Sequence, residues 1–379
     1  MPRANERSFL LKTILVTGGA GFIGSNFVKY QLNTHTDDII VNLDALTYAG
    51  NLENLTDVEE NPNYVFIKGD IADKAFVDAL FSEYNFDYVV NFAAESHVDR
   101  SIENPEIFVK TNILGTQILL NAAKNAWQTG KDDEGYPTYK EGVKYLQVST
   151  DEVYGALGKT GMFTETTPIT PNSPYSASKA SADLLVRAYG NTFKFPMNIT
   201  RCSNNYGPNQ FPEKLIPLMI ANVIDLKELP IYGDGMQVRD WLHVKDHCSG
   251  IDTVLRQGRL NEVYNIGGNN EKANIQIVDL IIENVKKRLE EGAYPDIKTD
   301  YTKISDDLKI HVEDRLGHDR RYAIDNTKIT TELGWEPSYT FEEGIVETID
   351  WYLGHQDWVA QVKSGGYQEY YEKMYSKKK

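Results

Sequence analysis

The chain should fold as an α/β protein on a doubly wound parallel sheet, with a smaller α/β substrate-binding domain beside it. Three observations predict this. Apolar β-prone runs alternate with amphipathic stretches from Lys12 to about Cys202. A glycine run, Gly18-Gly19-Ala20-Gly21-Phe22-Ile23-Gly24, joins the first strand to the first helix. An acidic residue, Asp44, closes the second strand. Such alternation favours a parallel sheet, because each return to the same edge needs a crossover, usually a helix.

In chain order, strands are expected at 13–16, 38–43, 64–68, 88–92, 143–149 and 197–202, where β-branched and aromatic residues cluster. Helices are expected at 22–32, 73–84, 105–127 and 173–191. The last has Ser173 placed to cap it and Pro174 in its first turn. Beyond Cys202 the prolines 208, 212, 217 and 230 interrupt the alternation, although 246–256 reads as a helix and 263–266 as a strand. The polar stretches 128–142 and 292–314 read as surface loops.

Composition narrows the function classes. A chain of 379 residues with 41% hydrophobic content buries a sizeable core. A formal charge of −16 leaves no basic surplus to displace counterions from phosphates, so nucleic acid is not an expected partner. The two cysteines, Cys202 and Cys248, make no disulfide framework, which points to a reducing cytoplasm. His243 and His247 stand near Cys248 without a paired spacing for zinc, so no metal is expected. Residues 8–16 follow Arg3 and Arg7 as a signal peptide would, yet run straight into the glycine loop, so the latter part reads as a strand. No apolar run reaches the roughly 20 residues that span a bilayer, and no membrane partner is expected.

Gly18, Gly21 and Gly24 follow a strand and open a helix. Glycine there permits a tight turn, close approach of the backbone to a pyrophosphate, and helix–sheet packing. Asp44 sits where a carboxylate accepts from the adenine ribose, and no Arg or Lys follows it closely, so NAD is favoured over NADP. This is a Rossmann-type arrangement. Tyr175 and Lys179, at i and i+4, share one helix face. The same spacing occurs on many solvated helices, but after a nucleotide motif it suits a phenolate base supported by a cation. Thr150, Asp151 and Glu152 leave the carboxyl end of the fifth strand, the edge that faces ligands in open α/β sheets. Thr150 can orient a substrate there, while the two carboxyls divide, one protonated and one ionised; a helix-capping turn is the bland alternative. Arg239, Arg315 and His318 are candidates for gripping phosphate or for ordinary interdomain pairing. Tyr206, Tyr232 and Trp241 read as core aromatics.

These motifs resemble the extended short-chain dehydrogenase/reductase family, and within it the nucleotide-sugar dehydratases. The likeness runs from Lys12 to about Tyr352. It is carried by Thr17–Gly24, by residues 93–101 (AAESHVDRS), by 149–155 (STDEVYG), by 173–179 (SPYSASK), and by 201–208 (RCSNNYGP). The stretches 230–233 (PIYG) and 238–241 (VRDW) belong to it as well. Leu316 stands where similar proteins usually carry proline.

The resemblance implies NAD as cofactor, dTDP-glucose as small-molecule substrate, and a homodimer joined through the helices at 105–127 and 173–191. It implies that Phe22 and Ile23 lie at the pyrophosphate, Asp44 and Thr47 at the adenosine ribose, and Asp70 and Ile71 beside the adenine. Ala93, Ala94, Ser96 and Thr111 would line the way to the nicotinamide, with Tyr175, Lys179 and Asn205 completing it. Ser96 and Thr150 would touch the glucose. Asn204, Lys214, Leu215, Arg239, Asn274, Arg315 and His318 would surround the diphosphate and deoxyribose, and Pro230 and Tyr232 the thymine. Residues 10–202 would form the NAD-binding domain, with segments near 240–268 returning to it. Residues 203–355 would mainly bind the nucleotide-sugar, and 356–379 would form a peripheral tail. Tyr175 is then the base at the sugar 4-hydroxyl, Glu152 the base at C5 and Asp151 the acid at the 6-hydroxyl. A nucleotide-sugar 4-epimerase, a decarboxylase of uronates or an inactive NAD-sensing protein are the rivals.

Overall fold

The computed structural model describes residues 11–314 and 318–363. Seven strands form one wholly parallel sheet: β1 (Thr13–Thr17), β2 (Ile39–Asp44), β3 (Tyr64–Lys68), β4 (Tyr88–Asn91), β5 (Lys144–Thr150), β6 (Met197–Cys202) and β7 (Val263–Ile266). Their order across the sheet is β7-β6-β5-β4-β1-β2-β3. Chain order therefore reverses between β1 and β4, and the crevice that binds ligands in such sheets opens there. The central strands are buried on both faces, as in β1 and β4, where apolar residues dominate and every residue after the first is buried, while the edge strand β3 is only half-buried. Every residue of β5 is buried, Lys144 included.

One core lies between the sheet and the helices Phe22–Thr34 and Val244–Gln257, around Phe27, Val28, Ile251 and Leu255. A second covers the other face, where Val77, Leu119, Trp127, Val186 and Phe195 pack on Leu15, Val41 and Val89. A third stands apart from the large sheet. It gathers Ile216 and Ile220 of helix Leu215–Ile224, Ile277 and Ile281 of helix Asn274–Glu290, and Ile345 and Ile349 of helix Phe341–Gly354. Small sheets border it: Val238–His243 lies between Asn204–Tyr206 and Glu271–Ala273, and Leu229–Tyr232 pairs in parallel with Lys309–Val312.

Three segments differ from the expected pattern. The expected helix at 105–127 is broken into Pro105–Phe108, a wider π-helical stretch Val109–Gly115, and Thr116–Trp127. The wider turn turns Asn112 inward, where its amide accepts from the Glu95 nitrogen at 2.9 Å and donates to the Glu95 carbonyl at 3.0 Å and Ser178 Oγ at 2.8 Å. Such widened turns recur at functional sites. The expected loop 128–142 contains a hairpin, Gln128–Lys131 against Pro137–Tyr139, whose turn is set by Asp132 accepting from the amides of Glu134 and Tyr136. The expected loop 292–314 holds the strand Lys309–Val312, because its partner Leu229–Tyr232 lies far away in sequence.

Trp127 closes its helix fully buried, stacks on Phe195 at 5.5 Å between ring centres, and donates to the Phe86 carbonyl at 2.7 Å. Trp127→Ala should therefore cost about 3–5 kcal/mol in urea unfolding, and a loss under about 1 kcal/mol would show that the site collapses around the gap.

Candidate active site

After β1 the chain turns through Gly18 at φ +72°, where an added Cβ would stand 2.7 Å from the Ala93 nitrogen. A Cβ on Gly24 would reach 2.2 Å from the Gly18 carbonyl. The loop and helix close on one another only because both residues lack side chains. Gly21 begins the 13-residue helix Phe22–Thr34 with no side-chain cap, leaving the first-turn amides to face the crevice as anion donors. At the end of β2, the Asp44 carboxylate accepts from the amides of Ala20 at 2.9 Å and Leu46 at 2.7 Å. Burial pushes this carboxyl up and the two amides pull it back. Each carboxylate oxygen keeps a further lone pair for a ribose hydroxyl.

This donor set fits NAD. One cleft is lined by Gly18, Gly21, Phe22, Ile23, Gly24, Asp44, Thr47, Asp70, Ile71, Ala93, Ala94, Ser96, Thr111, Tyr175, Lys179 and Asn205, so all the residues expected at the cofactor meet in it.

Thr150, Asp151 and Glu152 form the inner wall of the same cleft. Thr150 ends β5 and its hydroxyl accepts from the Glu152 amide at 3.3 Å, starting the short 3-10 turn Asp151–Tyr154. The same hydroxyl donates to Asp151 Oδ1 at 3.3 Å, while Oδ2 is buried without a hydrogen-bond partner among the described residues. Burial, then the charges of Glu152 and Asp240, push the Asp151 carboxyl well above its usual range; Arg239 and Thr150 oppose this. Of the two carboxyls, Asp151 is the more deeply buried.

Tyr175 lies in the first turn of helix Pro174–Phe193, which Ser173 caps by accepting from the Ser176 amide. Burial raises its phenol well above the usual value, and Glu152, Cys202 and Asp151 add to that. Only the Thr150 hydroxyl pulls the other way among the five largest influences. Lys179 is buried one turn later and donates to the Val148 carbonyl at 2.8 Å. Burial pushes its ammonium down, against Asp183 and Cys202, which push it up.

A second cleft joins the first at Glu152, Asn204, Glu213 and Lys214. It holds Leu215, Pro230, Tyr232, Arg239, Asn274 and His318. Every described residue expected at the substrate thus lies in one cleft or the other, with Ser96 and Thr150 in the first. Arg315 and the neighbouring Leu316 lie outside the described residues. Arg239 packs its guanidinium 4.3 Å from the Tyr322 ring centre and donates to the carbonyls of Val238 and Asp319. Lys214 reaches the Ser96 carbonyl at 3.2 Å. His318 contacts Asp314 at 2.6 Å. Tyr206 is buried in the third core, as expected, whereas Trp241 and Tyr232 also line the second cleft.

Sequence reading missed several wall residues. Glu95 and Glu213 are buried beside Arg100, whose Nε donates to Glu213 at 3.2 Å. Burial raises both carboxyls, and Arg100 draws both down. Arg100 and Glu213 stand 113 residues apart, so no spacing advertised the pair. His247 had no role beyond a discarded metal spacing. Its Nδ1 meets Asn205 Oδ1 at 2.9 Å, and burial lowers its imidazole to about 3, so the neutral ring donates and orients Asn205.

A family model described as GDP-mannose 4,6 dehydratase matches residues 15–348. A dTDP-glucose 4,6-dehydratase of Xanthomonas campestris pv. campestris (strain B100) is 54% identical over 359 residues, covering 94% of this chain and 97% of that relative. The chain belongs to the dTDP-glucose 4,6-dehydratase family. Two solved structures of the family agree in fold. The dTDP-glucose 4,6-dehydratase of Bacillus anthracis in complex with NAD has a TM-score of 0.80 at 48% identity, covering 93% of this chain and 100% of that one. The Streptomyces venezuelae enzyme of the same name, with NAD and a second ligand bound, has a TM-score of 0.80 at 43% identity with the same coverage. The family is thus one that uses NAD, as the glycine loop and Asp44 led one to expect.

A carboxyl raised on folding keeps a proton that the unfolded chain releases, so its contribution to stability declines as pH rises from the unfolded value toward the folded one. Asp151→Asn should therefore raise the melting temperature, by more at about pH 8 than at about pH 5. An increment that does not grow with pH would contradict a protonated Asp151.

Proposed function

We propose that this protein is an NAD-dependent hydro-lyase that converts dTDP-glucose to dTDP-4-keto-6-deoxyglucose. The observation that carries the reading is the Asp151–Glu152 pair, set in the wall of the first cleft beside Tyr175, with Glu152 at the mouth of the second. Family membership supports the activity, and the clefts supply a place for each half of the chemistry.

The helix N-terminus at Gly21 and the Asp44 carboxylate would hold the cofactor, with Lys179 and Asn205 at its nicotinamide end. Bound NAD supplies a hydride acceptor at C4 of the sugar and a hydride donor at C6, and leaves each turnover unchanged. Tyr175 takes the proton of the 4-hydroxyl. Its phenol is unsuited to this by burial alone, so the positive charge of Lys179 and of a cationic ligand is what makes the phenolate accessible. The 4-ketone acidifies the hydrogen at C5. Glu152 removes that proton and Asp151, already protonated, gives its own to the departing 6-hydroxyl, so water leaves across C5 and C6. Holding the unsaturated sugar in the clefts keeps it from escaping before C6 is reduced and a proton is added back at C5.

Arg239, Lys214, Asn274 and His318 would hold the diphosphate and deoxyribose, and Pro230 and Tyr232 the base. Residues 10–202, joined by β7, are read as the cofactor domain and most of 203–355 as the nucleotide-sugar domain. A homodimer joined through the helices at 105–127 and 174–193 is favoured by side chains left bare there: Val109 is 54% exposed, Leu114 46% and Leu184 52%. A cytoplasmic setting is favoured by two buried, unpaired cysteines. Among the described residues no helix is long and apolar enough to cross a membrane.

A nucleotide-sugar 4-epimerase would use the same Tyr175 and Lys179 but would need no acid and base for elimination. Incubation with dTDP-, UDP-, GDP- and CDP-glucose, following the 4-keto product by mass and alkaline absorbance, separates the two: product should form from dTDP-glucose. Glu152→Gln should keep C4 oxidation while turnover falls by about 100-fold or more. Normal turnover by that variant would remove Glu152 as the C5 base. Deuterium placed at C4 should appear in the new methyl group.

A further inference from the structure

Behind the reactive corner lies an ion pair that no part of the proposed chemistry uses. Asp183 is 0% exposed on helix Pro174–Phe193, one turn beyond Lys179, and Arg201 is 1% exposed on β6, next to Cys202. Arg201 Nε donates to Asp183 Oδ2 at 2.9 Å and its Nη1 to the Tyr154 hydroxyl at 3.0 Å. Tyr154 closes the turn that begins with Asp151 and Glu152, and its hydroxyl donates to Asn265 Oδ1 at 2.8 Å on β7. Asn265 then donates to the Phe163 carbonyl at 3.0 Å. One buried chain thus ties the Tyr175–Lys179 helix to the carboxyl turn through β6.

Stability does not account for this pair. Two charges taken out of water gain little over a well-packed apolar pair of similar volume. Here the balance is worse, because Asp183 Oδ1 and Arg201 Nη2 are buried with no hydrogen-bond partner among the described residues. What the pair supplies is a rigid link and a negative charge near Lys179. Burial drives the Lys179 ammonium down, and of the groups that act on it Asp183 is the stronger support, ahead of Cys202. On Tyr175 burial acts first, then Glu152, Cys202 and Asp151, with the Thr150 hydroxyl opposed.

We infer that Asp183 and Arg201 are positioning residues of the reaction, which set the Tyr175–Lys179 helix against the Asp151–Glu152 turn. This rests on the dehydratase reading above.

Asp183→Asn keeps the shape and removes the charge. It should lower kcat by about 10- to 100-fold with KM for dTDP-glucose little changed, and should move the alkaline limb of the kcat–pH profile to lower pH. The double variant Asp183→Leu/Arg201→Met should keep or regain the wild-type melting temperature without regaining kcat. Wild-type kcat and an unaltered pH profile in either variant would overturn the inference. If neither folds, Tyr154→Phe carries the test: it removes the hydroxyl that joins Arg201 and Asn265 to the turn, and an unchanged kcat would overturn the positioning role. Wild-type protein assayed alongside separates the two readings, since an inactive wild type would count against the dehydratase itself.

Discussion

Seven parallel strands end at a single edge, and every described side chain of the reactive corner hangs from that edge or from the helix packed beside it. Gly18 leaves β1, Asp44 ends β2, Ala93 follows β4, Thr150 ends β5 and Cys202 ends β6. A parallel sheet with crossovers on both faces must present its carboxyl-end loops together, and the reversal of order between β1 and β4 parts them into a crevice. The glycine loop, the ribose carboxylate and the acid–base turn could not be assembled so closely on an antiparallel frame with alternating ends. The second lobe adds the other wall, through Asn204, Lys214 and Arg239.

Burial then does the chemical sorting. It raises the phenol of Tyr175 and the carboxyl of Asp151 and lowers the ammonium of Lys179, all against their charged forms. The corner is thus prepared to hold protons until charge arrives. A positively charged ligand near Tyr175 would relieve the phenol's penalty, and in the proposed reaction the 4-ketone must form before the C5 proton can leave, so oxidation comes before elimination. Two neighbouring carboxyls disfavour double ionisation, and burial and the charge of Glu152 both raise the more deeply buried member, Asp151.

Much of this was legible along the chain, because the motifs are local. The strands at 13–16, 64–68 and 197–202 fall within one residue of those observed, since short runs rich in β-branched, aromatic and other apolar residues mark them. The spacing of Tyr175 and Lys179 is a property of any α-helix, and Thr150 capping its own turn is decided within three residues. Where the reading failed, the partner was remote. Lys309–Val312 becomes a strand only because Leu229–Tyr232 lies beside it. The break at Val109–Gly115 serves Glu95 and Ser178, far off in sequence.

By itself, then, the order of residues determined the parallel α/β frame, the dinucleotide loop and the choice of NAD, and it put Thr150, Asp151, Glu152, Tyr175 and Lys179 forward as the candidate acid–base group, each being a matter of neighbours within a turn or two. Only the tertiary structure decided that Asp151 is the carboxyl burial raises, which histidine orients Asn205, and that Asp183 and Arg201 meet. Those depend on burial and on contacts between distant segments, and the free energy of a charge is set by what surrounds it in space rather than by what precedes it in the chain.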